Sequence, residues 1–161
     1  MQAIETDRLT VRAAVEIDRA RFVELFTDEA FTVLSDGVHD VESANARFDR
    51  MLSLVALVPY AKQPVVVRAS GTIVGYTGVG TVSIEGMDRL EWGWRLAPSA
   101  RGQGYATEAT TGLLARADSH DDGDVLCIIS VDNAASRRVA DKVGVPPAAA
   151  NRLVRRSIRS G

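Results

Sequence analysis

The chain has 161 residues, 46% of them hydrophobic and 25% charged, a balance typical of one globular domain over 1–161. A formal net charge of −2 argues against a nucleic-acid or membrane partner held by bulk charge, and the apolar stretch LVALV (54–58) is far too short to cross a bilayer. The single cysteine, Cys127, and the lack of zinc-ligand spacing predict a soluble cytoplasmic protein without a metal.

The first third of the chain predicts one strand and two helices. Leu9 and Val11 alternate with polar neighbours in RLTVRAA (8–14), which indicates a strand. Apolar residues recur at helical spacing after Asp18, and again after Asp40, a residue suited to cap a helix. The second helix carries an apolar stripe interpreted as core: Ala44, Phe48, Met51, Leu52 and Val55.

The middle of the chain predicts three antiparallel strands joined by hairpins. PVVVRA (64–69) and TIVGYTGVGTVSI (72–84) are rich in β-branched residues and are separated by a Ser-Gly turn. RLEWGWRLA (89–97) alternates strictly, so its residues divide between two faces of a sheet. One face takes Leu90, Trp92, Trp94 and Leu96, with both tryptophans interpreted as core, and the other takes Arg89, Glu91, Gly93 and Arg95.

The last third predicts a helix reaching about residue 119, a strand and a further helix. VLCIISV (125–131) is a continuous apolar run, as expected of a strand buried on both faces. NAASRRVADKVG (133–144) has helical spacing and ends in a glycine suited to a C-cap. RLVRRSI (152–158) has the length of one final strand. The element order therefore predicts an α+β domain with a mixed sheet.

The stretch LAPSARGQGYATEA (96–109) places two glycines between the end of a strand and the start of a helix. The first N–H groups of a helix have no partner within it and carry partial positive charge. Without side chains, Gly102 and Gly104 would let a pyrophosphate approach the backbone, with the charge of Arg101 beside it. The alternative is a tight strand-to-helix turn that contains glycine, because the pattern is neither a Walker P-loop nor a full G-x-G-x-x-G fingerprint.

Three blocks of the chain resemble the GNAT (Gcn5-related N-acetyltransferase) family. LEWGWRLAPSARGQGYATEA (90–109) resembles its acetyl-CoA signature, and RGQGYA (101–106) fits the Q/R-x-x-G-x-G/A loop. NAASRRVADKVGV (133–145) resembles the second signature, an Asn-x-x-Ser helix. IETDRLTVRAA (4–14) resembles the opening of the ribosomal-protein N-acetyltransferase (RimJ/RimL-like) branch.

The resemblance implies the GNAT fold, a central mixed, mostly antiparallel sheet flanked by helices on both faces. It also implies transfer of the acetyl group of acetyl-CoA to a primary amine, either a protein N-terminus or a small molecule, by direct attack in a ternary complex. The positions implied to bind the cofactor are Leu96, Arg101, Gly102, Gln103, Gly104, Tyr105, Ala106 and Asn133.

Two residues are candidates for the proton transfers that the implied reaction requires. Glu91 matches the glutamate of the branch's Glu-x-Gly strand and is the candidate base, or else a surface carboxylate paired with Arg89. Ser136 can relay a proton to the departing sulfur, or else is an ordinary first-turn helix serine. Many relatives carry a tyrosine as the acid where this chain has Ala140. Glu108 is interpreted as a carboxylate that complements the helix dipole.

Two alternatives to an enzyme stay open at the level of sequence. The missing tyrosine and the short tail are compatible with a non-catalytic acyl-CoA-binding module. A nucleic-acid-binding protein using the tail arginines is disfavoured by the negative net charge. A single strand after residue 145 would leave an open sheet edge, which predicts a possible homodimer. The acceptor pocket is expected from residues 28–40 and the helix that follows.

Overall fold

The computed structural model describes residues 2–33, 37–57, 60–84, 86–117, 124–130, 132–144 and 154–157. The strands in these ranges are β1 (Ile4–Glu5), β2 (Leu9–Val11), β3 (Gln63–Val67), β4 (Thr72–Ile84), β5 (Met87–Leu96), β6 (Asp124–Cys127) and β7 (Val154–Ser157). The α-helices are α1 (Arg19–Thr27), α2 (Glu29–Thr32), α3 (Val41–Leu57), α4 (Tyr105–Ala117) and α5 (Ala134–Lys142). The expected α+β class is confirmed.

The strands form one sheet whose spatial order is the order of the chain, β1 to β7. Neighbouring strands are antiparallel, except that β5 and β6 are parallel. Among the described residues, a single register pair, Glu91 opposite Leu126, joins β5 to β6. Because β5 continues to Leu96 while β6 ends at Cys127, the two strands part toward the C-terminal end of β5.

Helices cover both faces of the sheet, as the resemblance implied. The face covered by α1, α2 and α3 is packed with aromatic rings: Phe22, Phe26, Phe31, Phe48 and Tyr76. On the opposite face, α4 contributes Leu113 and Leu114 to a second core. Trp92 is buried in this second core and Trp94 packs against it, so the interpretation of both tryptophans as core is confirmed.

The two helices predicted in the first third are confirmed. α1 begins directly after Asp18, and α3 follows Asp40, whose Oδ1 accepts a hydrogen bond of 2.8 Å from the backbone N–H of Ser43. Ala44, Phe48 and Met51 are buried along α3, as the apolar stripe predicted. Within the described ranges, no helix is long and apolar enough to cross a membrane.

Two short elements escaped the sequence prediction, and one strand is shorter than predicted. β1 has 2 residues and α2 has 4, too few for either periodicity to be visible. VLCIISV (125–131) does not continue as a strand through its apolar run: β6 ends at Cys127, and Ile128 is 43% exposed. The physical reason is the separation of β6 from β5, which leaves the following residues without a neighbouring strand on that side.

The predicted final strand is present as β7, which pairs antiparallel with β6 and lies at the edge of the sheet. The chain between α5 and β7 lies outside the described residues. The homodimer expected from an incomplete edge stays a prediction.

Gly75 lets the end of β5 lie close against β4. Gly75 pairs with Leu96 and has a φ of +152°, beside a register shift between β3 and β4. A Cβ atom at this position would overlap the backbone carbonyl oxygen of Arg95. Backbone cannot move aside as a flexible side chain can, so this position requires glycine.

Glu108 joins the N-terminal strands to α4. Its Oε1 accepts a 2.6 Å hydrogen bond from the Thr6 hydroxyl and a 2.9 Å bond from the Arg8 backbone N–H, while Oε2 accepts a 2.7 Å bond from Arg8 Nε. Burial of the carboxylate raises its pKa, but the hydrogen bonds from Thr6 and Arg8 and the charge of Arg8 outweigh burial, so the pKa lies below the ordinary 4.5. Glu108 therefore does more than complement the helix dipole.

Replacing Gly75 with alanine is expected to lower the free energy of unfolding by about 3 kcal/mol or more, because the new methyl group overlaps fixed backbone. Gly71→Ala is the matched control. Gly71 also has a positive φ, +69°, but an added Cβ meets no atom within 4 Å, so about 1–2 kcal/mol is expected. Urea unfolding of both variants measures the difference, and equal losses would contradict the overlap.

Replacing Glu108 with glutamine is expected to lower the free energy of unfolding at pH 7 by about 1 kcal/mol, since the ion pair is partly exposed. A lowered folded-state pKa stabilises the fold above the unfolded-state pKa, and this stabilisation is lost as the pH falls through the folded-state pKa. The difference between wild type and Glu108→Gln should therefore shrink below about pH 4.5.

Urea unfolding at pH 7 and at about pH 3.5 measures this loss. Glu42→Gln is the matched control, because Glu42 also lies in the first turn of a helix but is exposed. A difference between wild type and Glu108→Gln that does not change with pH would contradict the assignment.

Candidate active site

The loop after β5 turns sharply at two glycines. A short 3-10 turn at 98–100 follows β5 and begins with Pro98. Gly102 and Gly104 then have φ values of +75° and +82°, a backbone conformation that costs other residues about 1–2 kcal/mol each. A Cβ at Gly102 would meet no atom within 4 Å, so the backbone faces open space there. The two glycines predicted from sequence thus form an exposed concave turn.

α4 begins at Tyr105, immediately after the second glycine. The backbone N–H of Glu108 donates a 3.0 Å hydrogen bond to the Gly104 carbonyl, which is the first bond of the helix. The N–H groups of the preceding residues, including Ala106, have no acceptor within the helix and carry its partial positive charge. The loop and the helix start together have the backbone geometry that suits an anion.

The side chains of this loop bond to the protein itself. Arg101 donates from Nε to the Leu96 carbonyl (3.1 Å) and from Nη2 to the Ala30 carbonyl (2.7 Å). Gln103 donates from Nε2 to the Ser99 carbonyl (3.0 Å). The sequence prediction gave the charge of Arg101 to a bound pyrophosphate. In the structure its guanidinium ties the end of β5 to α2, and the role of its charge beside a pyrophosphate stays a prediction.

Trp92 on β5 and Cys127 at the end of β6 are both buried in the core on the α4 face of the sheet. Trp92 is 4% exposed, and its indole N–H has no hydrogen-bond partner. Cys127 is buried at the end of β6, where burial and the negative charge of Glu91 raise the pKa of its thiol to about 12. Cys127 is therefore a neutral thiol at physiological pH and not a nucleophile.

Glu91 and Trp92 lie on opposite faces of β5. Glu91 lies on the face that α1–α3 cover. Its Oε2 is 3.7 Å from Lys62 Nζ, and the two side chains are 23% and 24% exposed. The alternative weighed from sequence paired Glu91 with Arg89, whose side chain lies outside the described set. Lys62 is the partner that the sequence analysis missed.

Lys62 is placed by a strained turn before β3. Tyr60 has a φ of +58°, unusual for a residue other than glycine. Its carbonyl accepts a 2.7 Å hydrogen bond from the Val79 N–H, and the Lys62 N–H donates a 2.9 Å bond to the Val79 carbonyl. A Cβ at Gly80 would lie 3.0 Å from Lys62 Nζ, and one at Gly93 would lie 3.7 Å from it. Lys62 therefore lies across a patch of sheet that has no side chains of its own.

Arg95 lies on the same face of β5 as Glu91. It directly precedes Leu96, the last residue of β5, whose carbonyl accepts the bond from Arg101 in the loop at 101–104, called the glycine loop below. Its guanidinium carbon is 5.7 Å from the centre of the Phe31 ring and 5.9 Å from that of the Tyr76 ring. Its Nη1 atom is buried and has no hydrogen-bond partner. The strict alternation of β5 had placed Glu91 and Arg95 on one face, and that signal could have identified Arg95.

Asn133 and Ser136 lie together at the start of α5. Asn133 Oδ1 accepts a 3.0 Å hydrogen bond from the Ser136 backbone N–H, so Asn133 caps the helix. Ala140, where many relatives carry tyrosine, is fully buried. Among the described residues, no hydrogen bond joins either Asn133 or Ser136 to Glu91.

Similar structures share this arrangement of strands and helices. An acetyltransferase from Agrobacterium tumefaciens str. C58 has 21% identity and a TM-score of 0.78, over 96% of this chain and 93% of that chain. RimL, a ribosomal L7/L12 alpha-N-protein acetyltransferase solved in complex with coenzyme A, has 18% identity and a TM-score of 0.73, over 88% and 82%. The yncA protein from Salmonella typhimurium, solved with its cofactor acetyl-CoA, has 18% identity and a TM-score of 0.67, over 96% of both chains.

At these identities the likeness establishes the fold. The family rests on a separate comparison: the model of the acetyltransferase (GNAT) domain matches residues 8–145, which span both the glycine loop and α5. The chain therefore belongs to the GNAT family of acetyltransferases.

Proposed function

We propose that this acetyltransferase moves the acetyl group of acetyl-CoA to a primary amine, which attacks the thioester directly while both substrates are bound. The observation that carries the proposal is the glycine loop at the end of β5, where β5 parts from β6. Coenzyme A and acetyl-CoA in the structures of RimL and yncA support the choice of donor.

The residues present fit coenzyme A at two places. The open backbone at Gly102, the positive φ of Gly104 and the free N–H groups of Tyr105 and Ala106 suit a pyrophosphate. The gap between the strands suits an extended pantetheine arm, since the unpaired edge of β5 up to Leu96 offers backbone hydrogen bonds.

We assign two further polar groups, on Trp92 and Asn133, to the same arm. The buried indole N–H of Trp92 is a donor without an acceptor, which is unfavourable unless a ligand supplies one. Asn133 uses its Oδ1 to cap α5, so its amide NH2 group is the end that we assign to the arm.

Glu91 is proposed to take the proton that the attacking amine must lose. Its carboxylate lies on β5 at the last register pair before the strands part, beside the gap proposed for the thioester. A positioned carboxylate contributes about 10²–10⁴-fold to such a reaction. Lys62 holds this carboxylate in place, in an ion pair weak enough for an incoming ammonium to replace.

The second proton, needed by the departing thiolate, has to come from another group. Ala140 has no acidic hydrogen, so we assign this step to Ser136, directly or through water. A backbone N–H near Leu96 would stabilise the negative charge that develops on the acetyl oxygen. Much of the rate then comes from holding the two substrates in position.

A non-catalytic acyl-CoA-binding module is the second candidate. Ala140 favours it, because a fully buried alanine leaves no place for the usual acid. The same glycine loop would serve both functions, so only turnover separates them.

Replacing Gly104 with valine is expected to weaken coenzyme A binding at least tenfold, about 1.4 kcal/mol. A β-branched residue at a φ of +82° is strained, and its Cβ lies 3.4 Å from Arg8 Nη2. Gly71→Val is the matched control, because Gly71 has a similar φ but lies in the β3–β4 turn. If calorimetry shows that the folded Gly104→Val variant binds coenzyme A with wild-type affinity, the loop is not part of the binding site.

Replacing Glu91 with glutamine is expected to slow acetyl transfer about 100-fold while coenzyme A affinity stays within twofold of wild type. The measurement is thiol release from acetyl-CoA with a panel of primary amines. Glu5→Gln is the control, since Glu5 is also a strand carboxylate in an ion pair, with Arg68. An unchanged rate would leave Glu91 as a surface residue. Acetyl-CoA binding without transfer to any amine would favour the module.

A further inference from the structure

Three charged side chains share the face of β5 that α1–α3 cover. Glu91 and Arg95 lie four residues apart on the strand, so their Cα atoms are about 13 Å apart. Lys62 Nζ lies between them: it is 3.7 Å from Glu91 Oε2 and 5.7 Å from the centre of the Tyr76 ring, and Tyr76 is opposite Arg95. The order along the face is therefore one negative group followed by two positive groups.

Arg95 is partly buried and has no anionic partner among the described residues. Its Nη1 atom is out of contact with solvent and has no acceptor, and none of the ion pairs among the described residues includes Arg95. The rings of Phe31 and Tyr76 interact with its charge but accept no conventional hydrogen bond. A guanidinium N–H that solvent does not reach and that has no acceptor is unfavourable, and an anionic ligand would satisfy it.

The sheet beneath these charges carries no side chains of its own. Gly78 is paired with Gly93, and Gly80 with Glu91, so glycines occupy the sheet surface between Glu91 and Arg95. Lys62 lies over Gly80 and Gly93, and the backbone of residues 60–61 lies over Gly78. The lysine stem is flexible and can move with a bound molecule.

From this geometry we propose that Arg95 and Lys62 bind a carboxylate of the acceptor, while Glu91 receives its amine. The inference rests on the proposed function and names its substrate class: a primary amine that carries a carboxylate. Such a molecule offers an ammonium to Glu91 and a carboxylate to the two cations, and it supplies the acceptor that Arg95 Nη1 lacks. Its ammonium replaces Lys62 beside Glu91, and its carboxylate joins Lys62 to Arg95.

A carboxylate beside an amine can come from a free amino acid or from an acidic residue near a peptide N-terminus. The chemistry at Arg95 is the same in both cases. Matched acceptor pairs separate the two sources: L-amino acids against their amides, and peptides beginning Ala-Glu against peptides beginning Ala-Gln.

The first experiment measures kcat/KM for acetyl transfer to both sets of pairs. At least one set is expected to show a preference of tenfold or more for the acceptor with the carboxylate. Transfer to amines with no preference in either set would overturn the inference and leave the proposed function intact.

The second experiment measures the same preference in Arg95→Gln, with Arg50→Gln as the control because Arg50 is exposed on α3. Arg95→Gln is expected to reduce the preference at least tenfold, mainly through KM, and Arg95→Lys to restore part of it. A merely structural role would lower both members of a pair equally and leave the ratio unchanged, which would overturn the inference.

A binding measurement keeps the two proposals separate if no amine is acetylated. Calorimetry with L-glutamate and with L-glutamic acid diamide, in the presence of coenzyme A, reports the carboxylate site without turnover. If wild type binds glutamate more tightly than the diamide and Arg95→Gln does not, the carboxylate site is supported even though the proposed function has failed. Equal binding of the two compounds in wild type would overturn the site as well.

Discussion

The ion pair between Arg8 and Glu108 fixes the position of the glycine loop. Besides its bonds to Glu108, Arg8 donates from Nη1 to the Gln103 carbonyl (2.9 Å), and its guanidinium lies 4.7 Å from the centre of the Tyr105 ring. One side chain from the residue before β2 therefore contacts the loop, the first residue of α4 and its first turn. A loop whose glycines permit many conformations is confined to one by residues about 100 positions away.

The glycines of β4 determine which groups can lie against the face of the sheet that bears Glu91. Gly78 admits the turn before β3, since a Cβ there would lie 2.6 Å from the Ala61 carbonyl oxygen. That close approach brings Lys62 across the sheet to Glu91. Because glycines occupy the strands at these positions, Lys62 can lie directly against the sheet beside Glu91. Lys62 and the backbone of residues 60–61 occupy the space that those side chains would have taken.

The sequence predicts the features of the site that follow from local residue patterns. Features that depend on contacts between distant residues become visible only in the fold. Alternation over nine residues was enough to place Glu91 on one face of β5 and Trp92 on the other, because a strand has a period of two. No local signal placed Lys62, which reaches Glu91 only through a strained turn and an adjacent strand. VLCIISV (125–131) was misjudged as a full strand for the same reason: apolar character does not reveal where a neighbouring strand departs.

In the proposed reaction the two substrates use different parts of β5. The donor takes the strand's free edge and the loop that follows it, and the acceptor takes the face bearing Glu91, so neither substrate has to displace the other. The Lys62–Glu91 pair links the acceptor site to the chemistry. Because both side chains are about a quarter exposed, their attraction is modest, and an ammonium can replace the lysine beside the carboxylate. Binding the acceptor then places its nitrogen against the proposed base and turns Lys62 toward the acceptor's own negative charge.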